Sequence, residues 1–147
     1  MKKLTRKQYY KWLSLQSKDK CLFCDWKENQ VLHKEFKHWI WIDNIAPYWN
    51  YYGVLVPKRH FEEYKDMTEK EGKELSLVTD YVAKKIIDVS PKLTGEFNQV
   101  QFIWRKRFIN EENRPTHFHI NVGPDCDGRL NSTINKSAYK KDTSMFK

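Results

Sequence analysis

Two kinds of side chain in this sequence stand at spacings that could do chemistry. Cys21 and Cys24 are separated by two residues in Cys21-Leu22-Phe23-Cys24. Two thiolates so spaced on a tight turn can grip one Zn²⁺, which takes four nitrogen or sulfur ligands in a tetrahedron. The pair supplies half of such a set, and it reads equally as a redox couple or as two core residues. Histidine is the natural source of two further donors, and the chain has five: His33, His38, His60, His117 and His119. His60 follows the apolar run that begins at Gly53, and His117 and His119 flank Phe118. On a strand, residues two apart share a face about 6–7 Å apart. A neutral imidazole whose second ring nitrogen is pinned by a carbonyl is a nucleophile or general base near pH 7. The alternative for these two is a pair of polar residues half-buried at a sheet edge. His33 and His38 have no partner in their local sequence and read as ordinary surface or satisfied core histidines.

The elements that must position these residues are legible in outline. Thr5 and Gln8 form a capping box, with Leu4 and Tyr9 as the hydrophobic staple around it. Tyr9, Trp12, Leu13 and Gln16 recur at helical spacing, so a helix is expected over about 5–17. Val31–Phe36 reads as a strand. In the next one, 38–43, Trp39 and Trp41 point one way and Ile40 and Ile42 the other. A polar, aromatic loop leads to the strand Gly53-Val54-Leu55-Val56, closed by Pro57. Thr68 and Glu71 form a second capping box, opening a helix over about 69–88 with a buried stripe of Leu75, Val78, Val82 and Ile86. Ser90-Pro91 ends it. Strands follow at 97–104 and 117–122, with a charged loop between them and Gly123-Pro124 as the stop. The tail 125–147 has no clear periodicity. With no internal repeat and no linker, one α+β domain spanning 1–147, its core at about 21–124, is the simplest account.

Length and charge set bounds. A chain of 147 residues suits one domain and can bury a core without disulfides. Three cysteines, one pair close together, argue against a secreted disulfide framework. The basic N-terminus lacks the apolar stretch of a signal peptide, and no run approaches the roughly 18 apolar residues of a membrane span. These features give the expectation of a soluble, cytoplasmic protein with no membrane partner. The 27 Lys+Arg against 19 Asp+Glu leave a net charge of +8, which attracts phosphates on nucleotides, nucleic acids or membranes without choosing among them. A Lys-rich solvated surface accounts equally for much of that charge.

Four segments, in order, carry a resemblance to the histidine-triad (HIT) family of nucleotide hydrolases and transferases. Cys21-Leu22-Phe23-Cys24 resembles the CIFC-type segment of its zinc-bearing members. Trp41-Ile42-Asp43 stands where the family has its FLD strand end, and Gly53–His60 resembles GHxLVIPKRH. His117-Phe118-His119-Ile120-Asn121-Val122 resembles the signature of three histidines alternating with apolar residues. The resemblance implies an α+β fold with a roughly five-stranded antiparallel sheet and two main helices, and a homodimer. It implies a structural zinc on Cys21, Cys24, His60 and His117. It also implies that His119 is the nucleophile on a nucleotide α-phosphate, forming a covalent nucleotidyl-histidine, and that Asp43, with Asn44 beside it, contacts ribose hydroxyls.

The departures from the family pattern bear on activity. The third signature histidine is Asn121, which can hydrogen-bond a phosphate oxygen but has no titrating proton to deliver. An amide is also what the transferase and phosphorylase branches of the superfamily carry there, as Gln. The Gly-His before the LVIP strand is Tyr52-Gly53 in shifted form. The Gly-Gln-Ser/Thr phosphate loop is replaced by Asn110, Arg114, Pro115 and Thr116 in a longer basic loop. Arg114, whose planar fork suits phosphate, is the substitute to name, though it reads more readily as an exposed loop arginine. Two further readings stand beside the enzyme: a nucleotide-binding protein that lost turnover, and, less favoured, a nucleic-acid-associated protein with Lys58, Arg59, Arg105, Lys106, Arg107 and Arg114 as its phosphate-facing patch.

Overall fold

The computed structural model describes residues 4–46, 53–89, 99–106 and 115–124. The elements run α1 (Arg6–Ser14), α2 (Trp26–Asn29), β1 (Leu32–Glu35), β2 (Trp39–Asp43), β3 (Gly53–Pro57), a 3-10 turn (Tyr64–Asp66), α3 (Glu69–Val89), β4 (Val100–Trp104) and β5 (Ile120–Pro124). The strands form one antiparallel sheet in the order β1-β2-β3-β5-β4. The expected α+β class and five-stranded antiparallel sheet are therefore present, with α1 and α3 as the main helices. No described helix is long and apolar enough to cross a membrane.

Both capping boxes form. Gln8 N–H donates to Thr5 Oγ1 while Thr5 N–H donates to Gln8 Oε1, and the same exchange joins Glu71 and Thr68. α1 stops short of the expected residue 17. Its last turn tightens, with Leu15 and Gln16 N–H donating to the carbonyls of Trp12 and Leu13, three residues back. The Ser14 hydroxyl meanwhile turns onto the Lys11 carbonyl.

Alternation along the strands sorts the sheet into two faces. Trp39, Trp41, Leu55, Phe118, Ile120 and Val122 pack with the α3 stripe Leu75, Val78, Val82 and Ile86. Each fully buried stripe residue stabilises the fold by about 1.5–3 kcal/mol relative to exposure. Ile40, Ile42, Val54 and Val56 form the core of the opposite face, against which Phe23 and Trp26 pack. At Gly53 the strands close so tightly that a Cβ would lie 2.9 Å from both the Ile42 carbonyl and the Trp41 indole nitrogen. Only glycine fits that approach.

β5 differs from the expected 117–122. It runs through Gly123 and Pro124, which pair with Gln101 and Val100 of β4. Among the described residues the β3–β5 pairing runs as far as Gly53↔Val122. At the other end the ladder begins only at Ile120. The Pro57 carbonyl is taken by the His117 ring, and Phe118 N–H donates to the Phe61 carbonyl instead.

Candidate metal centre and adjoining histidine

The sheet's second face carries His117, His119 and Asn121. By the alternation that buries Phe118, Ile120 and Val122 under α3, His117, His119 and Asn121 point the other way, toward the loop that bears the two cysteines. That loop lies between α1 and α2 and is closed by Cys24 N–H on Cys21 Sγ and Asp25 N–H on the Cys21 carbonyl.

Cys21, Cys24, His60 and His117 converge, with their donor atoms all within 4.8 Å of one another. His117 Nδ1 is 3.4 Å from each sulfur and 3.1 Å from His60 Nδ1, and Cys24 Sγ is 3.3 Å from His60 Nδ1. A tetrahedral ion with sulfur at about 2.3 Å and nitrogen at about 2.0–2.1 Å has donor–donor edges of about 3.3–3.8 Å. Four of the six edges, those at His117 Nδ1 and between Cys24 and His60, are near those lengths already, and the set as a whole spans up to 4.8 Å. The planes of the two imidazoles stand at 86° to each other.

The protonation pattern suits a cation. His117 Nε2–H donates to the Pro57 carbonyl at 2.8 Å, which leaves the Nδ1 lone pair facing the cluster. Burial, with the neighbouring His60 and His119 adding to it, pushes His117 down to about 4, so its ring is neutral at pH 7. Burial of its sulfur, then the hydrogen bond and charge of Cys21, push the Cys24 thiol up to about 11. Two crowded sulfurs resist ionising together unless a metal compensates them.

His119 sits beside this cluster, half-buried. Its Nδ1–H donates to the backbone carbonyl of His117 at 2.9 Å, which fixes the tautomer and leaves Nε2 with its lone pair. The Phe23 ring packs against it at 4.8 Å. Nothing in the sequence pattern singled out Phe23; its place between the two cysteines was the available signal. Asn121 is buried, 6 % exposed, two residues along the same face.

Other expected site residues fall elsewhere. Asp43 shares the parity of Trp39 and Trp41, so it lies on the α3 face, opposite His119. It is 3 % exposed, with a carboxylate oxygen 3.8 Å from His33 Nε2, and the His33 ring packs on Trp41 at 4.9 Å. His33 thus has a partner that its local sequence did not reveal, brought to it by β1–β2 pairing. Asn44 follows the strand, and its side-chain oxygen accepts from Ala46 N–H. Lys58 and Arg59, read as phosphate-facing, turn instead to Glu35 and Glu71, each at 2.7 Å. Asn110, Arg107, Arg114 and the tail 125–147 lie outside the described residues.

Among solved structures, the chain resembles a HIT-family member from Bacillus subtilis, with TM-score 0.58 and 18% identity over 74% of this chain and 75% of that one. The chain has a histidine-triad fold. The same fold recurs in a HIT-family hydrolase from Legionella pneumophila, with TM-score 0.52 and 18% identity over 72% of this chain and 93% of that one. It recurs again in an ADP-glucose phosphorylase from Arabidopsis thaliana with bound ADP-glucose, with TM-score 0.59 and 17% identity over 81% of this chain and 36% of that one. No family model and no curated protein matches the chain. The histidine-triad fold accounts for the placing of the Cys/His cluster next to His119: one extended segment, 117–121, serves both.

Proposed function

We propose that this protein is a nucleotide hydrolase or nucleotidyl transferase whose nucleophile is His119. The observation that supports this best is the His119 Nδ1–H bond to the His117 carbonyl, which sets the tautomer that puts the nucleophilic lone pair on Nε2. Nε2 attacks the α-phosphorus, the P–N bond forms, and the bond to the leaving oxygen breaks. Water or another acceptor then attacks the same phosphorus, the P–N bond breaks, and His119 returns to its starting state. Asn121 holds a phosphate oxygen by its amide and gives no proton, so dinucleoside polyphosphates and activated nucleotides, whose leaving groups need none, are the substrates of choice. Of the residues expected at the ribose, Asn44 is the better candidate, because Asp43 faces α3. Asn110 and Arg114 complete the phosphate side of this reading.

The metal is read as zinc, from a donor set of two sulfurs and two nitrogens converging on one point. Cys21, Cys24, His60 and His117 would hold it, and four protein ligands leave no position for water, so its contribution is structural. Paired thiols of this kind persist in a reducing compartment, which favours the cytoplasm. A homodimer belongs to the same reading. β4 lies at the sheet edge with Trp104 43 % exposed, next to the signature strand, and light scattering showing only monomer at micromolar concentration would remove that part.

The test is mass spectrometry of the protein incubated with dinucleoside polyphosphates and nucleoside phosphoramidates. A nucleotidyl adduct on His119, absent in His119→Ala, is expected. Tight nucleotide binding with no adduct and no turnover would instead favour a binding protein, the reading that Asn121 supports.

A further inference from the structure

The exposure of His60 poses a problem of positioning. His117 is buried and held by the Pro57 carbonyl, but His60 is exposed and its placement must come from the backbone on either side of it. On one side stands Arg59. Its guanidinium grips Glu71 with Nη2 on Oε1 at 2.7 Å and Nε on Oε1 and Oε2 at 3.3 and 3.2 Å, and Nη2 also donates to the Asp66 carbonyl at 2.6 Å. Glu71 is 3 % exposed and immobile: its Oε1 accepts from Thr68 N–H in the capping box, and its carbonyl accepts from the indole of the fully buried Trp39. The Arg59 guanidinium lies 4.6 Å above the Phe61 ring. On the other side Phe61 stacks on Phe118 at 5.3 Å and 20°, and its carbonyl accepts from Phe118 N–H. Phe118 is next to His117. The turn that bears His60 is thus tied to the first turn of α3 by Arg59 and to the segment of the other histidine ligand by Phe61.

We infer that Arg59 and Glu71 are positioning residues for the metal site, a clamp that holds His60 at its corner of the tetrahedron. This inference rests on the zinc reading above. A fork is required: a guanidinium reaches the carboxylate, the Asp66 carbonyl and the Phe61 face together, and an ammonium cannot. Breaking the clamp leaves the four ligands in the chain but lets the His60 backbone wander, so the metal departs more readily. Partners hydrogen-bonded to the ligands themselves typically govern metal affinity by about 10- to 100-fold, and a clamp that acts through the backbone falls at the low end of that range.

The experiment measures zinc content of the full-length protein as purified, then the rate at which zinc passes to a chromophoric chelator. Arg59→Ala and Glu71→Gln should each release zinc about tenfold faster than the unaltered protein, the low end of the range for such partners. Glu71→Gln keeps an acceptor for Thr68 N–H and so spares the helix cap. Arg59→Lys should fall between, because charge without the fork restores part of the contact. Val82→Ala, which opens the core under the same helix, is the control: its melting temperature should fall while its release rate stays within about twofold. The cobalt(II)-substituted protein supplies a second readout, with a ligand-field spectrum altered in Arg59→Ala and unaltered in Val82→Ala. If the unaltered protein holds no zinc, the metal reading fails and the clamp with it. If it holds zinc and the clamp variants release it no faster than Val82→Ala does, the clamp alone is refuted.

Discussion

The two halves of the Cys/His cluster are built differently. The histidine half is tied into the sheet. His117 is buried and bonded to Pro57, and His60 stands between Arg59, gripped by α3, and Phe61, stacked on Phe118. The cysteine half is a short surface turn in which Cys21 is half-exposed and Cys24 exposed, closed by two hydrogen bonds of its own and packed on the sheet through Phe23. On the reading proposed above, one half is prepared by folding and the other would be completed by the ion. The metal's work would then be to fasten a loop to a finished sheet, and with the loop comes Phe23, which touches His119.

The sharpest break of this comparison is His117→Ala. It removes a ligand, the bond to Pro57 and a buried ring at once, and should cost about 3 kcal/mol or more in chemical unfolding. His119→Ala should cost no more than about 1 kcal/mol while abolishing the adduct. Equal losses would mean that the two histidines are not divided between structure and chemistry. Next in size is metal removal. In chelator, amide exchange should accelerate across 21–26, while β2, β3 and the middle of α3 keep their protection. Global exposure of α3 would show that the histidine half, too, depends on the ion.

Asn121→His addresses the chemistry beside the centre. It should accelerate reaction of amine phosphoramidates by about tenfold or more and leave dinucleoside polyphosphates little changed, because a general acid helps only the poor leaving group. A uniform gain on both would refute the assignment. The smallest effect is one of pH. Burial raises the Glu71 carboxyl, but the Arg59 hydrogen bond and the Thr68 contacts outweigh it and hold it below its ordinary value of 4.5. A depressed carboxylate stabilises the fold above that value and loses the contribution as pH falls through its folded value. The gap in urea midpoint between the unaltered protein and Glu71→Gln, measured in chelator so that metal release does not enter, should narrow from pH 7 to pH 3. A constant gap would mean that Glu71 acts by shape and not by charge.

What the sequence made legible was local or carried by motif order. Thr5/Gln8 and Thr68/Glu71 announce helix starts because caps are written within four residues. Trp39-Ile40-Trp41-Ile42 announces a two-faced strand. The convergence of Cys21, Cys24, His60 and His117 was legible only through the order of the resembling segments, since a lone CxxC leaves its other two partners open. What stayed hidden was long-range. A run of Lys58 and Arg59 states charge, but not that carboxylates on β1 and α3 receive it. Asp43 sits beside a motif, and one residue of alternation decides which face it serves. The start of β5 depends on a side chain, His117, taking a carbonyl that the ladder would otherwise have used.

The alternation on 117–122 also sets which genetic changes this protein can survive. Substitutions there act one at a time, and several leave one face intact. A single-codon insertion or deletion is different in kind, because the side-chain period is two. A slip of one residue would carry Phe118, Ile120 and Val122 to the outer face and drive His117, His119 and Asn121 under α3, losing the core, the Cys/His cluster and the proposed nucleophile in one event. Length changes in this segment should therefore be the least tolerated in a deletion scan, below any single substitution at the same positions.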